Sequence, residues 1–132
     1  MSKDQLIRVL IIDDELSIRG SMAGYLDDCG FAVSLSESTE KALRMVRESK
    51  YDVAIVDLRL RGLSGDVFIV EAAQICKDLK YIIHTGSVNY ALSDELKKIG
   101  VKPEHIFRKP LDDLNVIVEA INELVKEGGK GE

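Results

Sequence analysis

The sequence predicts an α/β domain of the (βα)5 doubly wound class, in which helices cover a five-stranded parallel sheet. Apolar runs of strand length alternate five times with helical patterns. This alternation is typical of parallel strands that are joined by right-handed helical crossovers. The chain has 132 residues and is 45% apolar, as expected for one globular domain.

Five short apolar runs are the predicted strands. They cover residues 9–12, 31–35, 53–56, 81–84 and 105–108. The run at 53–56 is entirely apolar and rich in β-branched residues, which indicates a strand that is buried on both faces. The run at 31–35 is half polar.

A helical pattern follows each predicted strand. The apolar positions of these patterns fall within 18–29, 42–46, 68–76, 92–99 and 114–125. Ser38 is placed to cap the second helix, and Gly30 and Gly100 are placed to end the first and the fourth. The last pattern has the widest apolar stripe, which predicts a helix packed firmly on the sheet.

Composition excludes several classes of protein. The formal net charge of −5 and the predicted pI of 5.1 argue against direct nucleic-acid binding, which needs clustered Lys and Arg. No apolar run approaches the ~20 residues of a membrane span, and the N-terminus lacks the apolar core of a signal peptide. We therefore expect a cytoplasmic domain without a membrane segment.

Cys29 and Cys76 are not a C-x-x-C pair, and both are predicted to be small core residues in a reducing compartment.

The candidate functional residues follow the predicted strands. Asp13 and Asp14 come after the first strand, Asp57 after the third, Thr85 after the fourth and Lys109 after the fifth. In a parallel sheet these ends meet at one edge, where ligands bind. Neighbouring carboxylates repel each other unless a cation joins them, and Mg2+ prefers carboxylate and phosphate oxygens. A lysine and a hydroxyl opposite the metal would suit a phosphoryl group.

These motifs, in this order, resemble the receiver domains of bacterial response regulators, which share the CheY-like, flavodoxin-like fold. The resemblance rests on the acidic pair, on Asp57 after VAIV, on Thr85 before the small Gly86, and on Lys109-Pro110. It covers about residues 6 to 126. Each motif is weak alone, but together and in register they make a strong case.

The resemblance implies a phosphoacceptor and a metal site. Asp57 would accept a phosphoryl group from the phosphohistidine of a sensor histidine kinase or a phosphotransfer protein. Asp14, Asp57 and the backbone carbonyl of Arg59 would bind Mg2+, with Asp13 acting mainly through water. The domain would be a signalling module rather than an enzyme, because its only chemistry would be its own phosphorylation and dephosphorylation.

The resemblance also implies a switch. Thr85 would hydrogen-bond the phosphoryl group, Lys109 would pair with it, and Gly86 would leave room for it. The Lys109-Pro110 bond would be cis, a conformation that is nearly confined to X-Pro bonds. The response would reach an effector protein through the fourth helix, fifth strand and fifth helix, and a homodimer is also possible.

Several positions depart from the family pattern. Ile106 stands where an aromatic residue usually moves inward on activation, and Phe107 should face the other side of the strand. Arg61 replaces a common proline. Arg59 and Ser87 stand where side chains tune the lifetime of the phosphoryl group.

Other residues carry weaker interpretations. Val116, Ala120 and Tyr90 are candidates for an apolar partner face, although scattered exposed apolar residues are common. His84 and His105 are expected to be packing or surface residues. We expect the domain to span 1–127 and a flexible Gly-rich tail to follow at 128–132.

Three other functions compete with this interpretation. A haloacid-dehalogenase-type phosphotransferase needs a second aspartate two residues after its nucleophile, where this chain has Arg59. Flavodoxin-like cofactor binding needs a phosphate-binding loop after the first strand, where Asp13 and Asp14 would repel an anion. A pseudo-receiver that binds partners without phosphorylation stays open because of Ile106. The chain could be a stand-alone receiver or part of a longer protein.

Overall fold

The computed structural model describes residues 6–58, 64–86 and 90–127. Five strands form one parallel sheet. They are β1 Arg8–Ile12, β2 Ala32–Ser36, β3 Val53–Val56, β4 Lys80–Thr85 and β5 Ile106–Arg108. Their order across the sheet is β2-β1-β3-β4-β5, and all neighbours are parallel. The predicted doubly wound five-stranded sheet is confirmed.

Five α-helices connect and follow the strands. They are α1 Leu16–Asp28, α2 Thr39–Glu48, α3 Gly65–Ile75, α4 Asp94–Ile99 and α5 Asn115–Glu127. A 3-10 turn, Pro103–His105, leads into β5. The weak pattern predicted over 92–99 corresponds to the shortest of these helices, because only its last six residues are helical.

The sheet has an apolar core on each face. On one face α1 and α5 bury Met22, Leu26, Ile117 and Ile121 against the strands. On the other face α2, α3 and α4 cover the sheet, and Phe68 of α3 is fully buried there. The central strand β3 is buried along its whole length, as its unbroken apolar run predicts.

Serine and glycine set the ends of several helices. Ser38 accepts a hydrogen bond from the backbone N–H of Lys41 at 3.2 Å, so it caps α2 as predicted. Ser93 caps α4 through the N–H of Leu96 at 3.2 Å. Gly100 ends α4 with a φ of 115°, a conformation that favours glycine.

Both cysteines differ from the expectation that they are buried. Cys29 is exposed and Cys76 is only half-buried. Cys29 directly follows α1 and Cys76 directly follows α3, so each lies where a helix ends and the chain begins its return to the sheet. Helical spacing predicts which face a residue occupies but not how far the helix continues over the core.

The prediction that Ala120 belongs to an exposed apolar partner face is wrong, because Ala120 is a buried core residue on the α1 and α5 side. Val116 and Tyr90 are half-buried. Val116 packs against that same core, whereas Tyr90 packs against the core on the opposite face of the sheet. Their part in a partner face stays a prediction.

None of the helices in the described part of the chain is long and apolar enough to cross a membrane. The tail predicted at 128–132 lies outside the described residues.

Gly65 lets α3 begin close to the end of β3, and we expect Gly65→Ala to lower the free energy of unfolding by about 1–3 kcal/mol. A Cβ at this position would lie 2.6 Å from the carbonyl oxygen of Asp57 and 2.9 Å from both Cα of Leu58 and Cγ1 of Val56. Urea unfolding measures the change.

Gly24→Ala is the control, because its Cβ would meet no described atom within 4 Å. That variant should gain ~0.5–1 kcal/mol, as alanine favours the helix. Equal stability of the two variants would contradict the steric argument.

Candidate functional site

The carboxyl-terminal edge of the sheet brings together the five side chains that the sequence singles out. Backbone hydrogen bonds extend the strand pairing past the strand ends. The N–H of Asp57 donates to Ile12 at 3.0 Å, and the N–H of Lys109 donates to Thr85 at 2.9 Å. Asp13, Asp57 and Thr85 are buried, whereas Asp14 is half-buried. The prediction that these residues share one edge is confirmed.

Three carboxylates lie close enough to share a cation. Asp13, Asp14 and Asp57 each offer an oxygen, and these oxygens lie within 4.8 Å of one another. Two of the three groups are buried, and buried like charges at this spacing are costly unless a cation compensates them. Carboxylate oxygens in this number suit a hard divalent ion. The donor set therefore fits Mg2+, while the backbone of Arg59 lies outside the described residues.

Lys109 supplies the positive charge of the site. Its Nζ lies 2.8 Å from Asp13 Oδ2, 3.0 Å from Asp57 Oδ2 and 3.4 Å from Glu15 Oε1. Burial lowers the pKa of Lys109, but its hydrogen bonds to Asp13 and Asp57 and the charges of these carboxylates outweigh that effect. The pKa is raised, so the ammonium stays charged between the two aspartates.

Glu15 belongs to the site and was missed by the sequence reasoning. Its carboxylate contacts Lys109 although 94 positions separate the two residues. The side chain is 56% exposed, so this contact lies at the solvent boundary of the site. The only signal in the sequence is that a third acidic residue directly follows the acidic pair.

The neighbourhood of Thr85 has open space. Within the described residues no atom would lie within 4 Å of a Cβ at Gly86. Thr85 itself is fully buried at the end of β4. The predicted role of Gly86, to leave room for a phosphoryl group, stays a prediction.

The two residues at the start of β5 face opposite sides of the sheet. Ile106 packs against the core formed with α2, α3 and α4, and Phe107 packs against the core formed with α1 and α5. The prediction that Phe107 faces the other side of the strand is confirmed. The Lys109-Pro110 peptide bond is cis, also as predicted.

Both histidines are buried, in agreement with a packing role. His84 is 4% exposed and His105 is 1% exposed. Neither imidazole has a hydrogen-bond partner among the described residues, although Nε2 of His105 lies 3.9 Å from a carboxylate oxygen of Glu123. Neither has the exposed helical setting of a phosphotransfer histidine.

We expect His84 to weaken the fold in mild acid. Burial, assisted by the charge of Lys109, lowers its pKa from 6.5 to about 4, although Asp13 partly opposes this shift. Between these values the unfolded chain binds a proton that the folded protein does not, so the free energy of unfolding falls as the pH falls through this window. At roughly 1.4 kcal/mol per pKa unit, the loss is at most about 3.5 kcal/mol.

Urea unfolding from pH 7 to pH 4 in the absence of metal measures this effect. The site carboxylates also titrate in this range, so the comparison is with His84→Leu, in which they are retained. The variant should show a shallower dependence on pH than the unchanged protein. Parallel pH profiles of the two proteins would contradict the account.

Comparison with known proteins agrees with this geometry. Residues 9–122 match the family model described as the response regulator receiver domain. The transcriptional regulatory protein FixJ of Rhizobium meliloti (strain 1021) is 32% identical over 113 residues, which are 86% of this chain and 54% of FixJ. The chain thus spans about half the length of this relative.

Solved structures show the same architecture. A response regulator receiver domain protein from Clostridium thermocellum superposes with a TM-score of 0.83 at 28% identity, covering 94% of this chain and 98% of that one. A response regulator protein from Burkholderia pseudomallei, solved with a phosphorylated aspartic acid, a calcium ion and citrate, superposes with a TM-score of 0.76. It is 26% identical, and the alignment covers 92% of this chain and 72% of that one.

Proposed function

This chain belongs to the family of response regulator receiver domains, and from that premise we propose that Asp57 is its phosphoacceptor. The donor would be a phosphohistidine on a sensor histidine kinase or a phosphotransfer protein. The observation that carries the proposal is the pairing of the buried Asp57 carboxylate with Lys109 at 3.0 Å, beside two further carboxylates. The phosphorylated aspartic acid in the Burkholderia pseudomallei relative supports it.

In the proposed reaction a carboxylate oxygen of Asp57 attacks the phosphorus of the donor. A P–O bond forms, the P–N bond of the phosphohistidine breaks, and the electron pair returns to the donor imidazole. The product is an acyl phosphate. The Lys109 ammonium would stabilise the charge on the phosphoryl oxygens, and the Thr85 hydroxyl would donate a hydrogen bond to one of them.

We further propose that the reaction depends on Mg2+. Asp13, Asp14 and Asp57 would hold the ion, and the backbone carbonyl of Arg59 stays a predicted ligand. A bound Mg2+ would neutralise charge between the carboxylates and the incoming phosphoryl group. The calcium ion in the Burkholderia pseudomallei structure supports a divalent cation site.

Phosphorylation would also change the contacts of Lys109. In the unphosphorylated protein this ammonium forms ion pairs with Asp13, Asp57 and Glu15. A phosphoryl group on Asp57 would offer it more negative charge at the same place and draw it away from Glu15. We propose that this change at Lys109, together with the hydrogen bond from Thr85, alters the surface formed by α4, β5 and α5. That surface would bind the effector protein. A homodimer, the absence of direct nucleic-acid contact and a cytoplasmic location stay predictions.

A phosphorylation-independent pseudo-receiver is the second candidate. The observation that favours it is Ile106, an aliphatic side chain half-buried against the core where the family pattern has a mobile aromatic residue. The complete acidic set with Lys109 favours the first candidate.

Intact-mass measurement after incubation with acetyl phosphate separates the two candidates. We expect a gain of one phosphoryl group per chain with Mg2+ and none when the metal is chelated. No gain, in a protein shown to bind Mg2+, would contradict small-donor phosphorylation and would favour the pseudo-receiver. A panel of phosphorylated histidine kinases would then test whether the site accepts only a protein donor.

A further inference from the structure

A cavity lies next to the site, between α1, the end of β4 and the segment that follows β5. Its volume is about 470 Å³. Most of its wall is apolar and comes from Ile18, Met22, Leu111 and Leu114. Its polar members are Glu15, Ser17, Ser21, His84 and Lys109. Binding sites for small molecules are usually pockets of roughly 300–1,000 Å³ that combine an apolar wall with a few polar groups.

His84 is the unusual member of this wall. Its imidazole is buried, and neither ring nitrogen has a hydrogen-bond partner among the described residues. Burying an imidazole without a partner is costly, so its nitrogens have unused capacity to bind a ligand. Both ring nitrogens are buried, so a ligand would reach one of them only after the imidazole turns about its Cβ–Cγ bond, which exchanges nitrogens with ring carbons.

The charges around the cavity restrict the ligand. Glu15 lies in the wall with Lys109, and that lysine is already paired with Asp13 and Asp57. Three carboxylates thus surround one ammonium, and an anionic ligand would add to the excess of negative charge. A neutral molecule avoids this repulsion. The neutral imidazole of His84 can either donate a hydrogen bond to such a molecule or accept one from it.

We propose that this cavity binds a small neutral molecule with an apolar, ring-sized body and one hydrogen-bonding group that pairs with His84. The molecule would also lie against the side chain of Lys109. The cavity shares Lys109 and Gly86 with the proposed phosphoryl site, but none of the three carboxylates that would hold metal lines it. Ligand binding can therefore be tested in the unphosphorylated protein without metal, and the test does not depend on the proposed phosphorylation.

Phenol and toluene are a suitable pair of probes, because they share a shape and differ in one hydroxyl. Titration is followed by amide and imidazole NMR signals. We expect phenol to shift signals of Ile18, Leu111, Leu114 and the His84 ring in a saturable way, and to bind about tenfold more tightly than toluene. No saturable shift at these residues up to the solubility limit of phenol would overturn the proposal.

Three variants locate the interaction. His84→Leu keeps an apolar side chain but removes both nitrogens, so phenol binding should weaken about tenfold. His105→Leu is the matched control, since it removes the other buried imidazole without touching the cavity, and phenol binding should be unchanged. Ser21→Phe adds a ring at the cavity wall and should abolish binding even if His84→Leu fails to fold. Phenol binding to folded His84→Leu, or to Ser21→Phe, as tight as to the unchanged protein would overturn the proposal.

Discussion

An Asp57→Asn variant is expected to gain no phosphoryl group under conditions that phosphorylate the unchanged protein. An amide oxygen is a far poorer nucleophile than a carboxylate, and the neighbouring Asp13 is held by Lys109 at 2.8 Å. Intact mass after incubation with Mg2+ and acetyl phosphate measures the loss. We expect phosphorylation to be lost completely, because Asp57 is the only phosphoacceptor that we propose.

The fold of this variant should remain intact. The substitution preserves the shape of the side chain and removes one of three neighbouring negative charges. Asp28→Asn makes the same chemical change at an exposed position at the end of α1 and should be phosphorylated normally. A normal mass gain in Asp57→Asn would reject the assignment of the phosphoacceptor.

A Lys109→Ala variant should lose about 3 kcal/mol of stability in the absence of metal. The Lys109 side chain is 11% exposed, and its ammonium pairs with the carboxylates of two aspartates that are still more buried, so its removal leaves their charges without this compensation. Added Mg2+ should restore much of the loss, because the three carboxylates remain. Urea unfolding with and without Mg2+ measures both effects.

The same variant should also separate phosphorylation from its consequences. The acyl phosphate should still form with Mg2+, but the accompanying change in the amide NMR spectrum should be lost. Lys102→Ala is the control, because Lys102 forms an exposed ion pair with Glu127 at 2.8 Å and such pairs are worth ~0–1 kcal/mol. A Lys109→Ala protein that is as stable as Lys102→Ala, or that keeps the full spectral response, would contradict the role of Lys109.

The sequence was informative where one local pattern decides the structure. The unbroken apolar run before Asp57 predicts a strand buried on both faces, and β3 has no exposed residue. Parallel topology then brings Asp13, Thr85 and Lys109 to the same edge, because every strand ends there. The alternation of side chains along a strand likewise placed Ile106 and Phe107 on opposite faces.

The sequence failed where the outcome depends on how separate elements meet. The contact of Glu15 with Lys109 depends on the positions of the start of α1 and the end of β5. The hydroxyl of Tyr90 donates to Asp66 at 3.3 Å, which ties the chain before α4 to the first turn of α3. Ala120 is buried although it lies off the main apolar stripe of α5. The relative placement of separate elements leaves no pattern in any single stretch of the sequence.

The central claim is that the phosphoryl group resides on Asp57, and chemical trapping tests it most directly. Borohydride reduces an aspartyl phosphate to homoserine with release of phosphate, and peptide mass mapping then locates the modified residue. After incubation with Mg2+ and acetyl phosphate, the account predicts homoserine at position 57 and at no other aspartate. Homoserine at Asp13 or Asp14 in place of Asp57, or a stable phosphoryl group on a histidine, would contradict it.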